Sequence, residues 1–373
     1  MRIAFTGGGT GGHLTPIIAV AREIRRITEA ERLFNVELVY FGPEPIAPSA
    51  MADEEITFIR ITAGKFRRYV SLLNFTDLFK TVAGIFEAFW KLFRTMPDVM
   101  FSKGGYGSFP TLIAARIYRI PVMIHESDAV SGTANRMAGR WATRIAISFP
   151  SAAKYFPPKR TALTGTPIRS RILGGTPDAA REALGVFSER PVLFIMGGSQ
   201  GARAVNEATT NVLKELLRSF EVIHQVGEKN FEDVALETKA LLGEDPGVPY
   251  YHPVAFLDEE HMRGAYLLAD LIISRAGSTS LFEIAAWGKP SIIIPITNSA
   301  RDHQRENAYA YGGHGAAIVI EEDNLTPHVL LNEITKLMSS PERRKKMSQA
   351  AQSFSRLEAA EVIAREIIAL GLH

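Results

Sequence analysis

The sequence predicts an α/β protein built from two doubly wound parallel-sheet domains in tandem. Three observations carry that expectation. Short apolar runs alternate with amphipathic helical patterns, as in successive βαβ units. Two of these runs, Ile3 to Phe5 and Val192 to Met196, lead into glycine clusters at Gly7 and Gly197. Prolines and a glycine interrupt the alternation between Pro157 and Pro167, and it starts afresh beyond Gly165-Thr166-Pro167.

In chain order, Ile3 to Phe5 reads as a strand and Pro16 to Ile27 as a helix, with Thr15 as its cap and Pro16 at its first position. Val36 to Phe41, Val99 to Ser102, Val122 to His125 and Arg144 to Ile147 read as further strands of the first domain. Val192 to Met196, Glu221 to Gln225, Leu271 to Ser274 and Ser291 to Pro295 form the second series. From about Ser353 to Leu370, apolar residues at Leu357, Val362, Ile363, Ile367 and Leu370 suit an amphipathic helix packed on a core. Ligands of open parallel sheets bind beyond the carboxyl ends of the strands, so two such domains facing each other would make a cleft.

Bulk properties narrow the function classes. A chain of 373 residues suits two or three domains. The absence of cysteine excludes disulfides, thiolate metal sites and a cysteine nucleophile. A net charge of +2 gives no whole-chain nucleic-acid footprint. No apolar leader precedes Gly7, so export is not expected, and no run of about 18 apolar residues predicts a transmembrane helix.

Three turns carry the chemistry. Gly7, Gly9 and Gly12 fit G-x-G-x-x-G within Thr6 to His13. Glycines there let the backbone approach a phosphate, and the following helix would offer free N–H groups to it. His13 stands at this mouth as a titratable group; a tight turn with a solvated histidine is the plainer alternative. Gly197-Gly198-Ser199-Gln200-Gly201-Ala202-Arg203 repeats the arrangement. Arg275-Ala276-Gly277-Ser278-Thr279-Ser280 places hydroxyls at a third helix start, with Glu283 one turn inside. That carboxylate can accept from a ribose diol, or serve only as a first-turn acid.

Other classes fit less well. No G-x-x-x-x-G-K-[ST] supports a P-loop enzyme, and there is no H-E-x-x-H. The absence of Asp-x-Asp argues against a metal-chelating sugar-nucleotide site, so neither a metal nor a cofactor is expected. An NAD-dependent dehydrogenase should carry an acid after its second strand, where this chain has Phe41-Gly42-Pro43.

Together, Gly7 to His13, Gly104-Gly105-Tyr106-Gly107-Ser108, His125-Glu126-Ser127-Asp128-Ala129, Gly197 to Arg203 and Arg275 to Glu283 resemble the ordered motifs of the MurG family, with Asp302-His303-Gln304 and Asn307-Ala308 extending the match. The family consists of N-acetylglucosaminyltransferases that use UDP-GlcNAc and lipid I, the undecaprenyl-pyrophosphate-linked muramyl peptide. The resemblance implies a GT-B fold, two Rossmann-like domains facing a central cleft, and an inverting transfer to the C4 hydroxyl of N-acetylmuramic acid that gives lipid II. It also implies that the C-terminal helix returns to the first domain. The domains are then 1–166 with 353–373, for the acceptor and membrane, and 167–352, for UDP-GlcNAc.

Position by position, the resemblance puts Ser199 and the turn Ser278, Thr279, Ser280 at the diphosphate, with Leu281 and Phe282 continuing the donor site. It puts Glu283 on the ribose, the main chain of Phe256 and Leu257 at the uracil, Gln304 on sugar hydroxyls and Arg169 along the donor. Thr10, Gly11, Gly12 and His13 come near the transferred sugar from the first domain. Gly9, Tyr106, Glu126 and Asn135 fall on the acceptor side. Asp128, also in the donor set, departs from the family, which commonly has asparagine there. An aspartate accepts hydrogen bonds but cannot donate when ionised, and its charge beside a diphosphate calls for an offsetting cation or proton.

The transfer needs a base for the acceptor hydroxyl and stabilisation of the leaving diphosphate. His13 and Glu126 are the candidate bases. His13 has the better free pKa, whereas Glu126 would need desolvation to raise its own.

Residues 64 to 94 add a membrane expectation. Six basic residues against Asp77 and Glu87 give this segment a charge of +4. Phe75, Phe79, Phe86, Phe89, Trp90 and Phe93 recur at helical spacing. The pattern suits a helix lying on an anionic membrane surface, with a buried core face as the alternative, at least for part of it. The expected partners are UDP-GlcNAc, lipid I and that membrane surface, with no nucleic acid. The expected location is peripheral, at the cytoplasmic face of the cell membrane. Rival readings are a glycosyltransferase acting on another lipid, a UDP-GlcNAc 2-epimerase-like enzyme and a non-catalytic membrane scaffold.

Overall fold

The computed structural model describes the chain except residues 9–10, 34, 46–47, 65–71, 199–200, 298 and 373; for 11, 13, 72–76 and 300 it describes the backbone alone. By its internal contacts the chain divides into two compact units, Met1–Arg169 with Arg356–His373, and Ser170–Ser355. Both divisions fall three residues beyond the joins read from the sequence.

Unit 1 holds a seven-stranded parallel sheet of β1 (Arg2–Thr6), β2 (Glu37–Gly42), β3 (Ile56–Arg60), β4 (Val99–Ser102), β5 (Val122–Glu126), β6 (Arg144–Ile147) and β7 (Thr161–Leu163). Its spatial order is β3-β2-β1-β4-β5-β6-β7. The order reverses between β1 and β4, and in open parallel sheets ligands bind beyond the carboxyl ends of the strands at such a reversal. Alternation along β1 divides the core. Ile3 and Phe5 pack with the helix Gly11–Ala30 and with Ile363 and Ile367 of the C-terminal helix Ala359–Gly371. Ala4 points to the opposite face, among Val39, Met100, Ile124, Ala88 and Leu92.

The C-terminal helix is shorter than the sequence pattern suggests. It begins at Ala359, and Leu357 and Val362 are exposed rather than packed. Its buried stripe is Ala360, Ile363, Ala364, Ile367 and Ile368. Surface ion pairs Arg26–Glu361, Arg365–Glu31 and Arg144–Glu366 flank it. Such exposed pairs add little, so the apolar stripe fixes the helix.

Unit 2 holds a six-stranded parallel sheet of β8 (Val192–Met196), β9 (Glu221–Gln225), β10 (Tyr251–Val254), β11 (Leu271–Ser274), β12 (Ser291–Ile293) and β13 (Ala317–Val319). Its order, β10-β9-β8-β11-β12-β13, places the reversal between β8 and β11. Leu193, Ile195, Val222, Leu271, Ile273 and Ile292 make one core face. On β8, Phe194 stands edge-on to Tyr266 at 5.6 Å.

The helix Gly11–Ala30 corrects one detail. It starts five residues before Pro16, which lies inside it, so Thr15 is not its cap. Gly11 and Gly12 stand in its first turn. As the sixth residue of the helix, Pro16 lies past the first four positions whose N–H groups lack intrahelical acceptors, so it removes the bond that an N–H there would give to the Gly12 carbonyl.

Candidate functional site

Each reversal in strand order is flanked by the turns singled out in the sequence. In unit 1, β1 ends at Thr6 before Gly7, and β4 ends at Ser102 before Lys103-Gly104-Gly105-Tyr106. The two loops touch: a side chain at Gly107 would meet the Gly7 carbonyl at 2.7 Å. Gly104 and Gly105 take φ of +74° and +83°, a region that suits glycine. Tyr106 follows, half-buried, in a single 3-10 turn. Gly9 and Thr10 lie outside the described residues. Gly11, Gly12 and His13 have their backbone in the first turn of the helix, and the side chain of His13 also lies outside what is described.

The third loop of unit 1 follows β5. Glu126 ends that strand with only 4% of its surface exposed. Its Oε2 accepts from Ser131 Oγ (2.9 Å), Gly132 N (2.9 Å) and Asn135 Nδ2 (3.0 Å), and its Oε1 from Asp128 N (3.3 Å). Asn135 also donates to the His125 carbonyl at 3.1 Å. Burial, helped by Asp128, pushes the Glu126 carboxyl up, against the hydrogen bonds it receives. Asp128 is half-buried in the same turn.

Beneath this loop lies a residue that the sequence reading passed over. Lys103 is 3% exposed, and its Nζ meets His125 Nδ1 at 2.5 Å and Ser127 Oγ. His125 Nε2 lies 2.9 Å from the Gly165 carbonyl. The set is consistent with one tautomer: Lys103 donates to Nδ1, and Nε2–H donates to Gly165. Burial, reinforced by Lys103, holds His125 well below its usual range and therefore neutral. Burial also pushes Lys103 down to about 7, while Glu126 and Asp128 pull it upward. The available sequence signal was a lysine directly after an apolar strand and before two glycines.

In unit 2, β8 ends at Met196 before Gly197, and β11 ends at Ser274 before Arg275. Ser199 lies outside the described residues. Gly201 has φ +77°, and a side chain there would overlap Asn230 and the Val226 carbonyl. The helix Ser278–Trp287 begins at Gly277 with no side-chain cap. The first amides of Ser278, Thr279 and Ser280 precede the first intrahelical bond, from Leu281 N to Gly277 O at 3.0 Å. Leu281 and Phe282 are buried in its core side. Glu283 is buried, and Tyr266 Oη donates to its Oε2 at 3.0 Å.

Three further donor candidates, Phe256, Leu257 and Gln304, lie in unit 2. Phe256 is exposed and Leu257 buried in the loop after β10. Gln304 sits in the first turn of the helix His303–Gly313, and its Oε1 accepts from Ile296 N at 3.2 Å. That helix is entered through two non-glycine residues with positive φ, Arg301 at 61° and Asp302 at 56°. Strain of this kind persists only where the surroundings enforce it, and it clusters at binding sites. Arg169 is half-buried at the end of unit 1 rather than within unit 2.

The helix Leu72–Thr95 is inverted in its exposure. Its inward stripe is Asp77, Thr81, Gly84, Ala88 and Leu92. Phe79, Phe86, Trp90 and Phe93 are 60, 72, 59 and 57% exposed. The buried-face alternative therefore fails for these aromatics. Gly84 explains the seating of the helix: a side chain there would overlap the Thr62 carbonyl and crowd Pro110. Phe89 stacks on Tyr118 at 4.5 Å, and Arg94 lies 5.8 Å from the Trp90 ring. The side chain of Phe75, like residues 65–71, lies outside what is described. Among the described residues no helix is long and apolar enough to cross a membrane.

Two doubly wound parallel sheets, each with glycine-bearing sequence after the strands at its switch point, define the class as α/β. Residues 3–147 match the glycosyltransferase family 28 N-terminal domain, and residues 192–363 match the C-terminal domain of that family. A relative from Clostridium kluyveri, named UDP-N-acetylglucosamine--N-acetylmuramyl-(pentapeptide) pyrophosphoryl-undecaprenol N-acetylglucosamine transferase, is 36% identical over 340 residues, 90% of this chain and 91% of its own. A second, from Bacillus thuringiensis and carrying the same name with the suffix 2, is 34% identical over 98% of this chain and 99% of its own. The crystal structure of MurG from Acinetobacter baumannii superposes with a TM-score of 0.74 at 26% identity, covering 99% of each chain. A UDP-GlcNAc 2-epimerase from Neisseria meningitidis reaches 0.71 at 14% identity, covering 99% of this chain and 100% of its own, which is a likeness of fold alone. The chain belongs to the MurG family of N-acetylglucosamine transferases.

Proposed function

We propose that this protein transfers GlcNAc from UDP-GlcNAc to the C4 hydroxyl of N-acetylmuramic acid in lipid I, forming lipid II at the cytoplasmic face of the membrane. The observation that carries the reading is the coexistence of two features in one chain. Glycine-bearing sequence follows the strands at both switch points, and a helix of unit 1 exposes an aromatic face.

Unit 2 is assigned the donor. The N-terminal amides at Ser278 to Ser280, with the turn around Ser199, stabilise the negative charge that grows on the departing diphosphate. Glu283, oriented by Tyr266, takes the ribose. Backbone at Phe256 and Leu257 takes the uracil, Gln304 contacts the sugar hydroxyls, and Arg169, the last residue before unit 2, lines the donor site. Thr279, Leu281 and Phe282 belong to the same helix start.

Unit 1 is assigned the acceptor and the base, with Gly9, Tyr106 and Asn135 on the acceptor side, while its Thr10, Gly11, Gly12 and Asp128 are assigned to the donor sugar. His13 takes the hydroxyl proton as the oxygen attacks C1 of GlcNAc and UDP leaves from the opposite face. Glu126 is the weaker base, since four donors already hold its carboxylate, and it is assigned to loop support. Phe79, Phe86 and Trp90, with Phe75, rest on the lipid surface that carries the acceptor. An epimerase needs no such face.

Titration of UDP-GlcNAc into the full chain by calorimetry tests the donor half. Saturable binding that Glu283→Ala weakens about tenfold or more supports it, that factor being about 1.4 kcal/mol. No heat up to millimolar donor would remove it.

A further inference from the structure

Two carboxylates, Glu126 and Asp128, stand two residues apart in a loop whose first member is buried. Like charges that close, in a poorly solvated place, need a cation. Lys103 supplies it from the end of β4: both acids act on its ammonium, which bonds Ser127 between them and His125 before them. Through His125 the same ammonium reaches the Gly165 carbonyl and so ties the β5 loop to the segment leading to Arg169.

We propose that Lys103 is a positioning residue for the sugar transfer, the counter-charge that holds Asp128 and Glu126 in place as acceptors of hydrogen bonds. Lys103 touches protein groups, with Ser127 and His125 as its contacts, so it acts through the loop and not on the reacting atoms. The inference rests on the transfer reading above. It ties the aspartate at 128 to the lysine at 103: an uncharged residue at 128 removes the need for the cation.

The ionisable groups facing Lys103 are His125, Glu126 and Asp128. His125 stays neutral, so the charge balance lies among Lys103, Glu126 and Asp128.

The test is a cycle of Lys103→Met, Asp128→Asn and the double variant in the full chain. Transfer to a lipid I analogue is measured across pH, and UDP-GlcNAc affinity is measured separately. Lys103→Met should lower kcat/KM at least tenfold while donor affinity changes less than twofold. The double variant should come within about threefold of Asp128→Asn alone, because the uncompensated charge is gone. The wild type should lose activity on the alkaline side as the ammonium deprotonates, and Lys103→Met should lack that limb. Should Lys103→Met fail to fold, Lys103→Gln, which keeps an amide donor without the charge, completes the cycle. Losses that simply multiply in the double variant, or an unchanged alkaline limb, overturn the proposal. A wild type that binds donor but transfers nothing defeats the reaction reading as well, and is thereby distinguished from a failed cycle.

Discussion

Asn135 Nδ2 lies 3.0 Å from Glu126 Oε2 and 3.1 Å from the His125 carbonyl, so one amide joins the helix Thr133–Ala138 to the end of β5, beside the bonds from Ser131 and Gly132. Asn135→Ala leaves a buried carboxylate short of one donor. It should lower stability by about 1–3 kcal/mol, read by denaturant unfolding. An unchanged midpoint would show that the loop holds without this amide.

The same carboxylate predicts a pH dependence. Burial and Asp128 raise the folded pKa of Glu126 above its ordinary 4.5. Between the ordinary and raised values the native chain binds a proton that the unfolded chain has released. Stability from this group is therefore present at low pH and lost as pH rises through the folded value. Glu126→Gln cannot titrate, so the wild type should lose stability relative to this variant on going from pH 5 to 8. A difference that stays constant with pH would contradict the raised pKa.

The two candidate bases separate by kinetics. His13→Ala should lower kcat by about a hundredfold or more with little change in donor affinity, the usual scale for losing a general base. Glu126→Gln should keep far more turnover. The reverse ranking would move the base to Glu126.

The exposed aromatics predict a separable loss. Replacing Phe86, Trp90 and Phe93 by serine should leave stability within about 0.5 kcal/mol per site, because these side chains face solvent. Binding to anionic phospholipid vesicles should fall tenfold or more, while transfer to a short-chain, water-soluble acceptor persists. Gly84→Ala should instead destabilise by about 1–3 kcal/mol through overlap with the Thr62 carbonyl. Vesicle binding unaffected by the serine changes would remove the membrane role.

How much of this was readable from residues alone follows the depth of each strand. The central strands β4, β6, β8, β9 and β11 match the sequence reading residue for residue. Each is buried over most of its length, so each appears as a short apolar run. The four unread strands, β3, β7, β10 and β13, are the four sheet edges. Half-exposed edges need no apolar run, and β10 even contains Pro253, which an edge tolerates. In the site, part of the glycine signal has a backbone cause: Gly104, Gly105, Gly198 and Gly201 take positive φ. Lys103 was not legible, because its burial comes from β5 packing beside β4, a pairing distant in sequence.

Transfer of labelled GlcNAc tests the central claim most directly. Incubated with UDP-[14C]GlcNAc and a lipid I analogue in anionic vesicles, the wild-type chain should move label into the lipid fraction as a disaccharide and release UDP stoichiometrically. Label that stays water-soluble, or appears as UDP-ManNAc, would contradict it.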